Sequence, residues 1–351
     1  MTAERKTSKA PINGITKKPT LRSISESMGL ALTTVSRALK NDPAIAQATR
    51  DRVQEAAQAV GYMPDRAAQK LRTGKTNVIS LILNPHEEIL GFGSSLISGL
   101  TQSLRGTDYH LNVTPQFHDT PAIEPINYIL RNKTADAIVF SRTKPFDERV
   151  RLLLENDFPF ICHGRTELST PHPYVDYDNF DFGYQAARRL VEKGRRNIVL
   201  FPADSSLTFS QHLQHGFMTA IQESGIAFRI PDDISIYSPA DEIRNYCYNA
   251  ATNKNPPDGY VCGGEVSTLA SLAGLTDAEQ EIGKDVDIIG KQTSPLLDQI
   301  RPKIETIYED LATAGQMMGT LLQQRLRGED MSKLNHLQET TLIFDTIKQN
   351  K

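Results

Sequence analysis

The sequence predicts an α/β protein: a two-lobed core of parallel sheets flanked by helices, with a small all-α helix-turn-helix head. Three observations predict it. From Thr76 onward, short apolar runs alternate with longer amphipathic stretches, the texture of parallel strands buried on both faces and joined by crossover helices. Before Thr76, three short segments with helical apolar spacing fit into about 45 residues. The third observation is charge. Residues 1–75 carry 14 Lys and Arg against 6 Asp and Glu, a net of +8, which leaves −11 on the rest of a chain whose formal net charge is −3. A basic head on an acidic body directs one end to a polyanion, because neutralising phosphates releases their counterions.

The elements follow in order. Residues 1–19 mix Lys, Thr, Ser, Pro and Gly without an apolar period and read as a flexible basic arm. Thr20 caps a helix whose apolar positions are Leu21, Ile24 and Met28, and Gly29 supplies the left-handed turn that ends it. A second short helix sets Val35 and Leu39 on one face. Lys40, Asn41, Asp42 and Pro43 break it, after which Val53, Ala56, Ala57 and Val60 form an inward stripe ending at Gly61. So small a bundle buries little and is marginal alone. The head covers 20–64, and a linker follows at 65–76.

In the core, Val78–Leu83, Ala137–Phe140, Phe158–Cys162, Ile198–Phe201, Tyr260–Cys262 and Asp287–Gly290 read as strands. Between them Phe92–Arg105, Glu148–Asn156, Phe180–Lys193 and Gln211–Ser224 read as helices. Such alternation implies βαβ units in two open sheets, with ligand sites at the carboxyl ends of the strands. No internal repeat is visible. At 351 residues, 39% of them apolar, the chain exceeds what one compact core usually holds.

Composition also excludes. No apolar run spans a membrane, and the polar amino end lacks the stretch a secretory signal needs, so a cytoplasmic location is expected. Cys162, Cys247 and Cys262 are odd in number and far apart, which suggests buried reduced thiols rather than disulfides or zinc. There is no GxxxxGK[ST], nucleophile elbow, HExxH or CxxC, and the glycines at 91 and 93 lack the third that a dinucleotide loop requires. Neither an enzyme nor a cofactor is expected. His212 and His215 lie one turn apart, yet no acidic partner is evident near them, so they read as a helix surface or cleft wall.

The segment from Thr20 to Leu39 has helix-turn-helix proportions, and its second helix, rich in small polar side chains, suits a major groove, where Thr33, Thr34, Ser36 and Arg37 can meet base edges and phosphates. A purely structural three-helix module shares that spacing. More specific is the succession of Thr34, Val35, Ser36, Arg37, Ala38 and Leu39, then Thr49, Arg50 and Val53, then Gly61, Tyr62, Met63 and Pro64, then Arg66 to Leu71. In these residues the head resembles that of the LacI/GalR repressors. Downstream, Val175 to Asn179, Gly183, Gly194 to Arg196, Gly216 and Phe217, Pro257 to Gly259, and Ile288 to Gly290 fall in that family's order.

The resemblance implies a transcriptional regulator, most simply a repressor of carbohydrate uptake or catabolism genes, with a periplasmic-binding-protein-like core whose small effector controls operator affinity. It implies a homodimer on a near-palindromic double-stranded operator. Leu32 and Thr33 would read bases, Arg37 and Asn41 would meet bases or backbone, and Asp65–Leu71 would be a hinge helix folding only in the minor groove. There Arg66 and Gln69 would touch DNA and Leu71 would wedge open the central step. Ala31 and Ala46 stand where the family usually has a capping Ser, and Lys40 replaces an Asn.

The same resemblance divides the core of 77–351 into an N-lobe (about 77–177 and 308–337) and a C-lobe (about 178–307 and 338–351). By topology Asn84, Phe92 (placed in the loop after the first strand), His163 and Arg165 border the cleft, although Phe92 also suits the core and Arg165 a surface pair. Asp178 and Asn179 match a pair near the lobe crossover, or else a structural turn. Leu213 stands where many members have a clamping Arg. Gly264 and Glu265 replace Asn-Asp, and Lys291, Gln292 and Thr293 replace an acidic pair. Arg165 and Glu265 would then re-supply charge, and with Gln292 they complete the effector set. Without a positive clamp at Leu213, the expected effector is a neutral mono- or oligosaccharide. His163–Glu167 with Tyr174–Asp178 resembles regulators of α-glucoside or galactoside uptake. A periplasmic sugar-binding protein would share the core but not the basic head.

Overall fold

A computed structural model describes residues 19–62, 70, 73–84, 89–117 and 119–345, and the chain divides after Thr76 into two units. In the first, α1 (Leu21–Met28), α2 (Leu32–Ala38) and α3 (Gln47–Ala59) pack around Ile24, Val35, Ala38, Val53 and Ala57. Thr20 opens α1 with a reciprocal capping box to Ser23, and Gly29 ends it in the left-handed region.

The second unit holds two six-stranded sheets. The first sheet takes β1 (Val78–Leu83), β2 (His110–Pro115), β3 (Ala137–Phe140), β4 (Phe160–His163) and β5 (Tyr174–Tyr177), with α4 (Phe92–Ser103), α5 (Glu124–Asn132) and α6 (Glu148–Glu155) between them. After α7 (Asn179–Glu192), the second takes β6 (Asn197–Leu200), β7 (Ala227–Arg229), β8 (Gly259–Cys262), β9 (Asp287–Gln292) and β10 (Glu305–Tyr308), interleaved with α8 (Thr208–Ser224), α9 (Ala240–Ala251) and α10 (Glu265–Asp277). The chain then returns through α11 (Leu311–Leu326) to add β11 (Asn335–Gln338) to the first sheet, and crosses back to add β12 (Thr341–Ile343) to the second.

Although the sequence shows no repeat, the sheets share one plan: β11-β5-β4-β3-β1-β2 in the first and β12-β10-β9-β8-β6-β7 in the second. All pairs are parallel except β10 with β12. The inner strands β3, β6 and β8 are buried along their whole length, which is why, Asn197 at the start of β6 apart, they read as apolar runs.

Helix pairs seat on glycine. A Cβ on Gly216 of α8 would lie 1.9 Å from the carbonyl oxygen of Phe180 in α7, and one on Gly183 of α7 would lie 2.2 Å from that of Leu213. On the first lobe, Gly99 of α4 and Gly315 of α11 make the same backbone-to-backbone approach. The three passages between lobes are themselves hydrogen-bonded together. Asp178 N donates to Gln338 O at 3.0 Å, Gln338 Nε2 donates to Asp310 O at 3.1 Å, and Thr340 Oγ1 donates to Asp181 Oδ2.

Candidate functional site

In the head, the exposed side of α2 carries the predicted readers. Leu32 is 46% exposed, a cost in water for an apolar side chain that contact with a thymine methyl or a base edge would remove. Thr33 and Arg37 are exposed, as is Asn41 beyond the helix, while Thr34 and Ser36 are half-buried. Arg37 Nε donates to Asp42 Oδ2 at 2.8 Å, and this pair and its hydrogen bond raise the guanidinium still further above its ordinary range. Asn41, in the left-handed region, accepts at Oδ1 from Gln54. Ala31 and Ala46 precede α2 and α3 in extended or near-extended conformation with no side-chain cap. Arg66, Gln69 and Leu71 lie outside the described residues.

In the core, His163 at the end of β4 faces two groups. Phe92 meets its ring edge-on with centroids 5.7 Å apart, and Glu309 Oε1 lies 3.8 Å from Nε2. Phe92 is the first residue of α4, as the helical reading from Phe92 has it, and is buried, so the alternative placement in the preceding loop is corrected: Gly91, in the left-handed region, ends that loop one residue earlier. Glu309 also accepts from Lys291 Nζ at 3.0 Å, and Lys291 donates to Asn179 Oδ1. The ammonium sits over the rings of Tyr177 and Phe182, 4.4 and 5.0 Å from their centroids. Asp178 caps α7 by accepting from Asp181 N.

Arg165 reaches the other lobe. Its Nε pairs with Asp176 Oδ2 at 3.4 Å and its Nη2 meets His212 Nδ1 at 3.2 Å. Burial pushes the Asp176 carboxyl up, against the pull of the Arg165 and His163 charges. His212 also has the acidic partner that sequence spacing did not reveal: its Nε2 lies 2.9 Å from Glu167 Oε1, which comes from the opposite lobe.

Glu265 is wholly buried. Its Oε1 accepts from Thr293 N, Ser294 N and Ser294 Oγ, whereas Oε2 is buried without a hydrogen-bond partner, as is Asn84 Oδ1. Gln292 accepts from Thr306 Oγ1 and donates to Asp298, so both ends of its amide serve the second lobe. Leu213 is packed into that lobe's core. The structure thus links Phe92, His163 and Asn179 through Glu309 and Lys291, sends Arg165 across the cleft, and holds Asp178, Glu265 and Gln292 in local bonds. The partners of Lys291 and Glu167 escaped sequence reasoning because they are distant along the chain.

A cavity of about 390 Å³ lies at the crossovers, lined by Tyr308, Asp310, His336, Leu337, Gln338, Glu339 and Thr341, none of them among the predicted effector residues. Among the described residues no cluster of His, Cys, Asp and Glu could hold a metal ion, and no helix is long and apolar enough to cross a membrane.

Residues 20–65 match the model for bacterial regulatory proteins of the lacI family. Residues 76–340 match that for periplasmic binding proteins and the sugar-binding domain of the LacI family. The chain is 30% identical over 323 residues to the HTH-type transcriptional regulator AglR of Rhizobium meliloti, covering 87% of this chain and 88% of that protein. It is 24% identical to CelR of Thermobifida fusca, covering 93% and 97%. Among solved structures, a lac repressor dimer bound to operator and an anti-inducer superposes with a TM-score of 0.78 at 18% identity, covering 93% of this chain and 98% of that one. A CelR–cellobiose complex superposes at 0.65 and 21% identity over the same shares.

Proposed function

Since the chain belongs to the LacI family of bacterial regulatory proteins, a family of DNA-binding transcription regulators, we propose that it is a cytoplasmic homodimeric repressor of carbohydrate uptake or catabolism genes, released from or fastened to its operator by a neutral mono- or oligosaccharide. One observation carries the DNA half of this reading: α2 presents Leu32, Thr33 and Arg37 to solvent while Val35 and Ala38 are buried. The head's small core thus fixes a helix whose free side is made for base edges. We assign Arg66, Gln69 and Leu71 to the hinge segment between head and core, where a wedge at Leu71 would exchange bending for contact.

The effector half is supported by the cleft's chemistry. Leu213 is apolar and buried, and Lys291 is already neutralised by Glu309. The unpartnered oxygens of Glu265 and Asn84 accept rather than donate, which suits ligand hydroxyls. Relatives in the family are regulators rather than enzymes, and a purely binding role for this cleft agrees with them.

The test is a footprint of the purified protein on its own upstream region, titrated with a panel of mono- and disaccharides at fixed salt. The reading expects one near-palindromic protected site, whose occupancy changes with a neutral sugar. Arg37→Ala should lower affinity for that site by about 1–3 kcal/mol. Protection no stronger than on random duplex, with every sugar, overturns it.

A further inference from the structure

The two lobes touch directly along one edge of the cleft, through hydrogen bonds and a cation–π contact. Thr208 N at the start of α8 donates to Thr143 O at 2.9 Å, and the Arg142 guanidinium lies 4.8 Å from the centroid of Tyr237. Between them His212 has both ring nitrogens engaged by the first lobe, Nδ1 with Arg165 at 3.2 Å and Nε2 with Glu167 at 2.9 Å. A guanidinium only donates and a carboxylate only accepts. The geometry therefore selects one state of the ring: neutral, protonated on Nε2, with Nδ1 accepting.

The grip is built on both sides. Arg165 is paired with Asp176, its carbonyl accepts from Thr143 Oγ1 at 3.0 Å, and Glu167 N donates to Pro145 O at 2.8 Å. Gly164 permits this loop, with φ +105° and a would-be Cβ only 2.6 Å from Thr143 Oγ1. On the far side, α8 is seated on α7 at Gly216 and Gly183, and α7 begins at the crossover residue Asn179. The charged groups facing His212 are Arg165, Glu167 and Asp176, with His215 one turn along its own helix stacked edge-on against Phe180.

We propose that Arg165, His212 and Glu167 form an interlobe clasp that holds the cleft shut along this edge in the unliganded protein, so that His212 sets the ratio of closed to open molecules and effector enters when the clasp releases. The clasp works whatever molecule the cleft receives, and it is tested without DNA or sugar, so its failure leaves the proposed function standing.

Cysteines introduced at the exposed Arg151 of α6 and Glu242 of α9 carry spin labels on the full-length protein. The native thiols are buried and pushed up by that burial, Cys247 and Cys262 to about 12, so labelling is selective. Pulsed electron resonance then reads the interlobe distance. The clasp predicts one short distance in the parent, a closed-to-open ratio lowered roughly tenfold by His212→Ala or Arg165→Ala, and no further loss in the double variant. His212→Asn, which keeps an acceptor toward Arg165, restores most of the closed population. Glu167→Ala, on a half-exposed side chain that poses no folding risk, moves the ratio the same way. Unchanged distances in His212→Ala and Glu167→Ala, or single effects that simply add, overturn the proposal.

Discussion

Lys291 donates to Asn179 Oδ1 across 2.7 Å, joining a strand of the second sheet to the first residue of a helix 112 positions earlier. Both residues are nearly excluded from solvent, so the ammonium depends on its partners. Glu309 neutralises it and two aromatic faces line it. Lys291→Met should cost about 3–5 kcal/mol because it leaves Glu309 buried and unpaired, and adding Glu309→Gln should recover part of that loss. Urea denaturation of the three variants checks it. Equal midpoints for parent and Lys291→Met would show that the pair is dispensable.

The uncapped starts of α2 and α3 invite the reverse change. Ala31 and Ala46 hold the extended geometry of a cap without a side-chain acceptor. Ala31→Ser should stabilise the head by ~1 kcal/mol and Ala46→Ser by a similar amount. Hydrogen exchange on the full chain should show amides in α2 protected several-fold better. No gain would mean that the amino-terminal amides of the helix are already satisfied by water.

Gly216 tests the seat of α8. A methyl there meets backbone rather than a movable side chain, so Gly216→Ala should cost at least the upper part of the usual range of about 1–3 kcal/mol for overpacking. Thermal unfolding followed by circular dichroism measures it, and a loss below 1 kcal/mol, on the order of ordinary surface changes, would show that the helices slide apart freely.

Acid should weaken the first lobe through Asp147. Burial alone would push this carboxyl up, but the hydrogen bond and charge of Arg149, with backbone N–H groups of Lys144 and Arg149, outweigh it and hold it below its ordinary value. A lowered folded pKa means stability that is complete above the ordinary carboxylate range, near pH 4, and is lost as pH falls through the folded value. Asp176 has the opposite sign: its raised pKa favours the protonated acid, a contribution present at low pH and lost as pH rises through the folded value. Urea midpoints between about pH 7 and about pH 3 should therefore fall less steeply in Asp147→Asn than in the parent. Parallel curves would refute the assignment.

What the sequence disclosed depended on burial. The inner strands β1, β3 and β8 are apolar because helices cover both faces, and their runs stand out. β2 lies at an edge with no buried residue, and β11 has none either, so neither left a signal. α10 is hidden for another reason. Ser267, Thr268 and Ser271 are buried by bonding back to carbonyls of the same turn or the one before, so its inward side carries hydroxyls instead of an apolar stripe. The reading side of α2 was legible because the head is local. The cleft was not, since Arg165 finds His212 47 positions away and Lys291 finds Asn179 farther still. Sequence marked Lys291 as a departure from its relatives but could not say which acid would neutralise it.

The order in which the strands are laid down bears on biosynthesis. Each sheet takes an edge strand from the closing stretch of the chain, β11 at Asn335–Gln338 and β12 at Thr341–Ile343. While the polypeptide is emerging, the nascent sheets expose the flanks of β5 and β10 until those strands arrive. A ribosome stalled, or a protease cutting, a short way before Asn335 would release a molecule in which β5 and β10, mostly buried in the finished sheets, are bare edges ready to pair with other chains.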